Sequence, residues 1–347
     1  MAKKSFIICV VLIAILSLIF LLLKFKNKPT QTNIDPQKTT TQNENSTAHP
    51  LALSVMRSKN YPGSDLKTEQ TLYGSANYKR YIVSYLSEGL KIYALMDVPM
   101  GQKPTGGWPV IVFNHGYIPP DQYRTTERYL AYTDAFARSG YIVIKSDYRG
   151  NGSSEGEPEG AYYSPAYATD VLNEISSIKK YPDANSAKIG MWGHSMGGNI
   201  TLRDLEISND IKAAVIWGGV VGSYSDLMNN WQRKVTYRPS TRELALRNRN
   251  RQDLVKLYGT PDSNPTFWNT IDPFYNVNLI NAPIQLHQGL NDEEVPPLFS
   301  DNLEKQLKAN DKTVEYFTYP GADHNISSPS FEIAIERSIS FFNKYLK

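Results

Sequence analysis

The sequence predicts an α/β chain: a mostly parallel eight-stranded sheet with helices on both faces and a helical cap inserted late. Two observations carry this. From about residue 78 onward, β-rich runs alternate with helical patterns, the order in which a parallel sheet covered on both faces is built. A Gly-x-Ser-x-Gly motif also falls on the boundary between one such strand and the helix after it. Composition agrees, since 347 residues at 41% hydrophobic and 20% charged leave room for a sizeable core and exclude wholesale disorder. The single cysteine, Cys9, excludes a disulfide scaffold and a cysteine-based zinc site.

The amino terminus stands apart. Residues 6–23 form an apolar run of 18 residues broken only by Ser17, with Lys3 and Lys4 before it and Lys24 after it. As a helix it would span roughly 27 Å, close to a bilayer's hydrocarbon core. The run is longer than a secretory signal needs, and Leu21-Leu22-Leu23-Lys24 offers no small-residue cleavage site. Residues 1–28 are therefore expected to be a retained membrane anchor, a removed signal peptide being the alternative. The expected location is at a membrane with the catalytic body outside the cytoplasm, although lysines on both sides leave the charge bias undecided. Residues 29–50, rich in Thr, Asn and Gln, contain Ile34 as their one large apolar residue before Leu51 and read as a disordered tether. Removing the five lysines of 1–28 leaves 32 bases against 34 acids, so the body has no basic footprint for nucleic acid.

Residues 51–347 are expected to form the catalytic domain. Runs 78–86 and 90–98 flank Ser87-Glu88-Gly89 and read as an antiparallel hairpin. Strand 110–114 follows Gly106-Gly107-Trp108-Pro109, helix 125–138 stops at Ser139-Gly140, and strand 141–146 comes next. Then come helix 166–180, strand 188–192, helix 196–207, strands 213–217 and 284–287, helix 297–308, strand 313–319 and helix 329–345. Between 222 and 278 the alternation stops, and eight bases meet five acids among interleaved aromatics that include Trp231 and Trp268. A structureless loop that long is improbable in a compact domain. The segment is expected to be a lid over the active site, with its tryptophans shaping acyl preference; the alternative is an ordinary excursion with a solvated charged face.

Gly-x-Ser-x-Gly occurs twice. Gly152-Ser153-Ser154-Glu155-Gly156 runs into Glu157-Pro158-Glu159-Gly160, where no helix can start, so it reads as a loop. Gly193-His194-Ser195-Met196-Gly197 joins a strand to a helix, the turn that lifts a serine hydroxyl above a sheet. Ser195 is the expected nucleophile. It needs a base, and the chain has five histidines. His49 falls in the tether, His194 adjoins the nucleophile, His115 follows a strand directly and His287 ends a buried one. His324, in the loop between the last strand and the last helix, is the expected base. Asp292, in the loop after strand 284–287, is the expected carboxylate that holds the base's tautomer, with Glu293, Glu294 and Asp323 as rivals. The oxyanion donors are expected to be the backbone amides of Met196, at a helix start, and Tyr117, after Asn114-His115-Gly116. Gly150-Asn151-Gly152 misses the dinucleotide pattern and no acid/histidine cluster has ligand spacing, so no cofactor or metal is expected.

From about residue 78 to the carboxyl end the chain resembles an α/β-hydrolase, nearest to the catalytic domain of the prolyl-oligopeptidase family. Gly193-His194-Ser195-Met196-Gly197-Gly198, Asp147-Tyr148-Arg149-Gly150-Asn151-Gly152-Ser153 and the Asp292 and His324 loops carry the resemblance. It implies a serine hydrolase acting through an acyl-enzyme on an ester or peptide, and a pairing of Arg149 with Asp170 beneath the site, the alternative being that those two are unrelated surface charges. Two departures favour an ester. Peptidases of that family carry a β-propeller, where here only about 50 residues separate anchor and hairpin. Several also use a tyrosine hydroxyl at the oxyanion, where Asn114-His115-Gly116 looks more like an esterase. The remaining alternative is a non-catalytic binding protein on the same fold. Oligomeric state is not encoded.

Overall fold

The computed structural model describes residues 48–232, 234 and 239–347. The expected anchor, and the tether through residue 47, lie outside the described residues. Among the described residues no helix is long and apolar enough to cross a membrane. His49, assigned above to the tether, instead sets its ring edge-on to Tyr258 (5.9 Å) and Phe267 (6.0 Å) while its Nδ1 accepts the Leu51 amide (3.1 Å).

In chain order the elements are α1 (Leu53–Ser58), β1 (Lys67–Leu72), β2 (Tyr78–Ser87), β3 (Leu90–Pro99), β4 (Trp108–Asn114), α2 (Leu130–Arg138), β5 (Ile142–Ser146), α3 (Ala166–Ile178), β6 (Ala184–His194) and α4 (Met196–Ile207). β7 (Ile211–Trp217) leads into the cap helices α5 (Tyr224–Asn229), α6 (Thr241–Tyr258) and α7 (Pro265–Ile271), and β8 (Ile284–Gly289), α8 (Leu298–Ala309), β9 (Val314–Tyr319) and α9 (Ser330–Leu346) complete the chain. The sheet has nine strands, not eight, in the order β1-β2-β3-β5-β4-β6-β7-β8-β9. The extra one is β1, whose Lys-Thr-Glu-Gln-Thr-Leu has no apolar alternation because it is a mostly exposed edge. Backbone pairing to β2 holds it, and Glu69 ties it to Ser84 (2.8 Å) and Lys91 (2.8 Å). Such charges also discourage a further chain from adding to the edge.

β5, β4, β6, β7, β8 and β9 run parallel, and their apolar residues divide between two cores with the period of two that a strand imposes. Val110 and Val112 of β4 join α3, α4 and α8 on one face; Ile111 and Phe113 join α2 and α9 on the other. Burial on both faces is why the central strands β4 and β5 read as near-continuous hydrophobic runs, whereas β9 at the edge is half-exposed. The connection from β4 runs to β5 on one side and that from its neighbour β6 runs to β7 on the other, which opens a crevice at the strands' carboxyl ends. Loops after β4, β6, β7, β8 and β9 all converge there.

Helix 125–138 is a correction: α2 begins only at Leu130. The fully buried Lys145 of β5 takes the carbonyls of Glu127 (3.0 Å) and Arg128 (3.2 Å), and Asp147 takes the hydroxyls of Tyr123 (3.0 Å) and Thr125 (2.6 Å). These long-range bonds outcompete helix formation and leave Arg128 and Tyr129 left-handed, at φ 57° and 56°. The cap has its own small core of Tyr224, Leu254, Trp268 and Ile271, completed by Leu51 and Ala52 from the start of the domain. Trp268 is therefore part of the cap's interior and does not line the substrate cavity.

Candidate active site

Ser195 stands between β6 and α4 at φ 55° and ψ −119°, strained for a residue with a side chain. The turn is possible because the helix start packs hard against the end of β4. A Cβ placed on Gly197 would lie 2.0 Å from the Asn114 carbonyl oxygen, so only glycine fits. The second Gly-x-Ser-x-Gly is a loop, as expected. Ser154 Oγ accepts the Tyr93 amide (2.9 Å) and Glu155 accepts that of Lys91 (2.8 Å), which fastens the loop to β3.

Asp292 and His324 meet across the loops after β8 and β9. His324 Nδ1 lies 2.8 Å from Asp292 Oδ2, which Gln288 Nε2 also reaches (3.0 Å), and Asp292 Oδ1 accepts the amides of Glu294 (2.9 Å) and Val295 (2.8 Å). Burial by itself raises the Asp292 pKa, but the histidine and the two amides outweigh it and hold the carboxyl below its ordinary value. The rivals are placed otherwise. Glu293 is exposed and pairs with Lys234 (2.7 Å), and Asp323 bonds Ser327 within its own loop. Gly218 at the end of β7 leaves room for the couple, since a Cβ there would lie 3.2 Å from His324 Nδ1 and 3.3 Å from Asp292 Oδ2.

The other histidines are structural. His115 is stacked between Tyr123 (4.6 Å) and Tyr148 (4.4 Å), and burial, then Lys145, pushes its pKa down to about 3. His287 is buried between Tyr319 Oη and Gln285 Oε1, both at 2.7 Å. His194 has a part the sequence did not reveal. The Gly116 amide donates to Tyr129 Oη (2.9 Å), Tyr129 Oη meets His194 Nδ1 (2.8 Å), and His194 Nε2 meets the His324 carbonyl oxygen (3.0 Å). A carbonyl only accepts, so Nε2 carries the hydrogen and Nδ1 accepts from the phenol. Burial, then the neighbouring His324 ring, lowers the His194 pKa to about 3 and keeps it neutral. This chain of bonds ties the loop after β4 to the loop of His324. No local signal marks Tyr129, because the bonds that position it come from Lys145 and His194.

Ser195, His324 and Tyr117 line one cavity of about 360 Å³ with Arg128, Tyr129, Tyr132, Tyr162, Lys234 and Glu294. The Gly116 amide is spent on Tyr129, so the next amide, that of Tyr117, is the candidate on this loop to face the serine. Met196 and Tyr117 also share a small adjoining recess. Trp231 lies behind the cavity wall, its Nε1 donating to the Glu294 carbonyl (2.8 Å) and its ring edge-on to Tyr162 (5.6 Å). Arg149 and Asp170 do pair beneath the site, with Nη2 to Oδ1 at 2.7 Å and both side chains buried.

Residues 173–346, half of the chain, match the family described as BAAT / Acyl-CoA thioester hydrolase C terminal, and residues 88–231 match X-Pro dipeptidyl-peptidase (S15 family). The chain is 27% identical to the uncharacterized peptidase YtmA of Bacillus subtilis over 72% of itself and 88% of that protein. Among solved structures it is similar to acylaminoacyl peptidase of Pyrococcus horikoshii (TM-score 0.61, 22% identity, 78% of this chain and 42% of that one). It is equally similar to acetyl xylan esterase 1 of a Thermoanaerobacterium species (TM-score 0.61, 15% identity, 83% of this chain and 90% of that one). The chain spans less than half the length of the peptidase structures it matches.

Proposed function

The chain belongs to the α/β-hydrolase superfamily and is a serine hydrolase, and we propose that it hydrolyses carboxylic esters with Ser195 as nucleophile. His324 Nε2 takes the hydroxyl proton as Ser195 Oγ attacks the carbonyl, while Asp292 holds Nδ1–H and stabilises the imidazolium. The amides of Met196 and Tyr117 hold the oxyanion. His324 then passes the proton to the departing alkoxide, and water resolves the acyl-enzyme by the same route. The observation that carries this reading is the opening of Ser195 and the Asp292-held His324 into one cavity.

The lining of that cavity supports an ester over a peptide. Four tyrosines line the cavity with the serine, and among the described residues its charged groups are Arg128, Lys234, which pairs with Glu293, and the carboxylate Glu294. Such a wall suits a neutral or anionic acyl group better than a peptide's ammonium. An amide also leaves less readily than an alkoxide and demands more binding energy away from the reacting bond. The test is a panel of short aryl esters, thioesters and aminoacyl or prolyl anilides. The highest kcat/KM is expected for an aryl ester, and any anilide that equals it overturns the ester reading. The second reading, a peptidase, is favoured by the S15 match and by YtmA, and the same panel decides between them.

We also place the enzyme at a membrane with its catalytic body outside the cytoplasm, on the strength of the apolar run 6–23. Full-length protein should stay in the pellet after alkaline carbonate extraction of membranes; release into the supernatant overturns this.

A further inference from the structure

The cap touches the loop after β4 at Tyr117, one of the two residues assigned an oxyanion amide. Tyr117 Oη donates to Glu243 Oε2 at 2.8 Å. Glu243 stands in the first turn of α6 and is only 4% exposed. One turn on, Arg247 reaches the other carboxylate oxygen (3.4 Å) and lays its guanidinium 5.0 Å from the centre of the Tyr117 ring. The ring is thus held at its hydroxyl by a buried carboxylate and on its face by a cation. Burying a carboxylate is costly, and the cap is already fastened to the body by the exposed pair Arg242–Glu157. A buried clamp on Tyr117 makes sense if the position of Tyr117 itself matters.

We propose that Glu243 and Arg247 are positioning residues that fix the Tyr117 amide where the oxyanion develops, so that the cap acts on the transition state instead of only covering the cavity. The inference rests on the oxyanion role given to Tyr117 above. Donors aimed at developing charge lose their effect when displaced, and about 1 Å of misplacement is enough for a ~100-fold loss in rate.

The test is a double-mutant cycle on purified protein with p-nitrophenyl acetate. Tyr117→Phe and Glu243→Ala should each lower kcat by about tenfold or more with KM within about twofold, and the double variant should fall no further than the worse single one. Glu243→Gln keeps an oxygen to accept the phenol's hydrogen and should recover to within about threefold of the parent. Fluorophosphonate labelling of Ser195 should slow in step with kcat, while Arg242→Ala leaves both unchanged. Singles that lower the melting temperature but not kcat would overturn the proposal, as would effects on KM alone or effects that multiply in the double variant. If Glu243→Ala does not fold, the nearly isosteric Tyr117→Phe decides by the same kcat and KM criteria. Failure of the underlying reading looks different: Tyr117→Pro, which deletes the amide itself, would then retain the parent kcat.

Discussion

Replacing Asp292 with asparagine should abolish most turnover while leaving the fold in place. Asp292 Oδ1 accepts two backbone amides, from Glu294 and Val295, and these can only donate. An asparagine must therefore keep its oxygen on that side, and its NH2 faces His324 Nδ1 and Gln288 Nε2, both donors in the parent. Gln288 is not free to turn over without cost, because its own oxygen accepts Ser300 Oγ (2.8 Å). The imidazole escapes the clash by moving its hydrogen to Nε2, where it can no longer take the proton of Ser195. The same tautomer error in a serine triad lowers kcat by about 10⁴, equivalent to ~5.5 kcal/mol of transition-state stabilisation. Because both backbone bonds survive, melting should move by only a few degrees. The assay is steady-state hydrolysis of p-nitrophenyl acetate beside a thermal melt of the same sample. A folded Asp292→Asn variant that keeps more than about a tenth of the parent kcat would refute the reasoning, since orienting the base could not then be what Asp292 does.

Ser195→Ala should remove turnover and fluorophosphonate labelling, whereas Ser154→Ala should stay within about threefold of the parent, because Ser154 only fastens a loop to β3; the opposite pattern would reverse the assignment. Trp268→Ala should cost about 3–5 kcal/mol in urea denaturation, the usual loss for a buried tryptophan, since its ring is 1% exposed and its Nε1 bonds the Gly259 carbonyl. The order of preference among acyl chains should not change, and a changed order at unchanged stability would return Trp268 to the substrate site. Glu174→Gln should flatten the pH dependence of stability. Neither Glu174 carboxylate oxygen has a hydrogen-bond partner among the described residues, and burial, then the charges of Asp147, Asp170 and Asp204, holds its pKa well above the usual value. The folded chain keeps that proton while the unfolded chain releases it above about pH 4.5, so this group costs the parent up to ~1.4 kcal/mol per pH unit as pH rises towards the folded pKa. Urea melts at pH 5.5 and pH 8 should show the variant gaining on the parent at the higher pH, and parallel curves would count against the assignment.

Much of the site was legible because its parts are local. The elbow at Ser195 is a strand, a glycine-limited turn and a helix in consecutive residues, and α4 begins and ends where its apolar pattern places it, at Met196–Ile207. Asp292 and His324 follow directly on parallel strands, and parallel strands deliver their following loops to one edge of the sheet. Strand pairing across long stretches of chain leaves no such trace. Nothing in Lys-Thr-Glu-Gln-Thr-Leu announces β1, because an exposed edge is held by backbone bonds and not by buried side chains. The helical pattern of 125–138 was real, yet its first turns yielded to Lys145 and Asp147, whose bonds no periodicity can express. Composition marked the aromatics of the cap but could not say that Trp268 faces inward against Tyr224 while Glu243 reaches Tyr117. The sequence by itself determined the layered fold and the three residues proposed to do the chemistry, since periodicity and turn geometry act between near neighbours. The tertiary structure alone decided what holds the loops around those residues in place, from Tyr129 and His194 to the contact of Glu243 with Tyr117, because those partners meet only when distant segments pack.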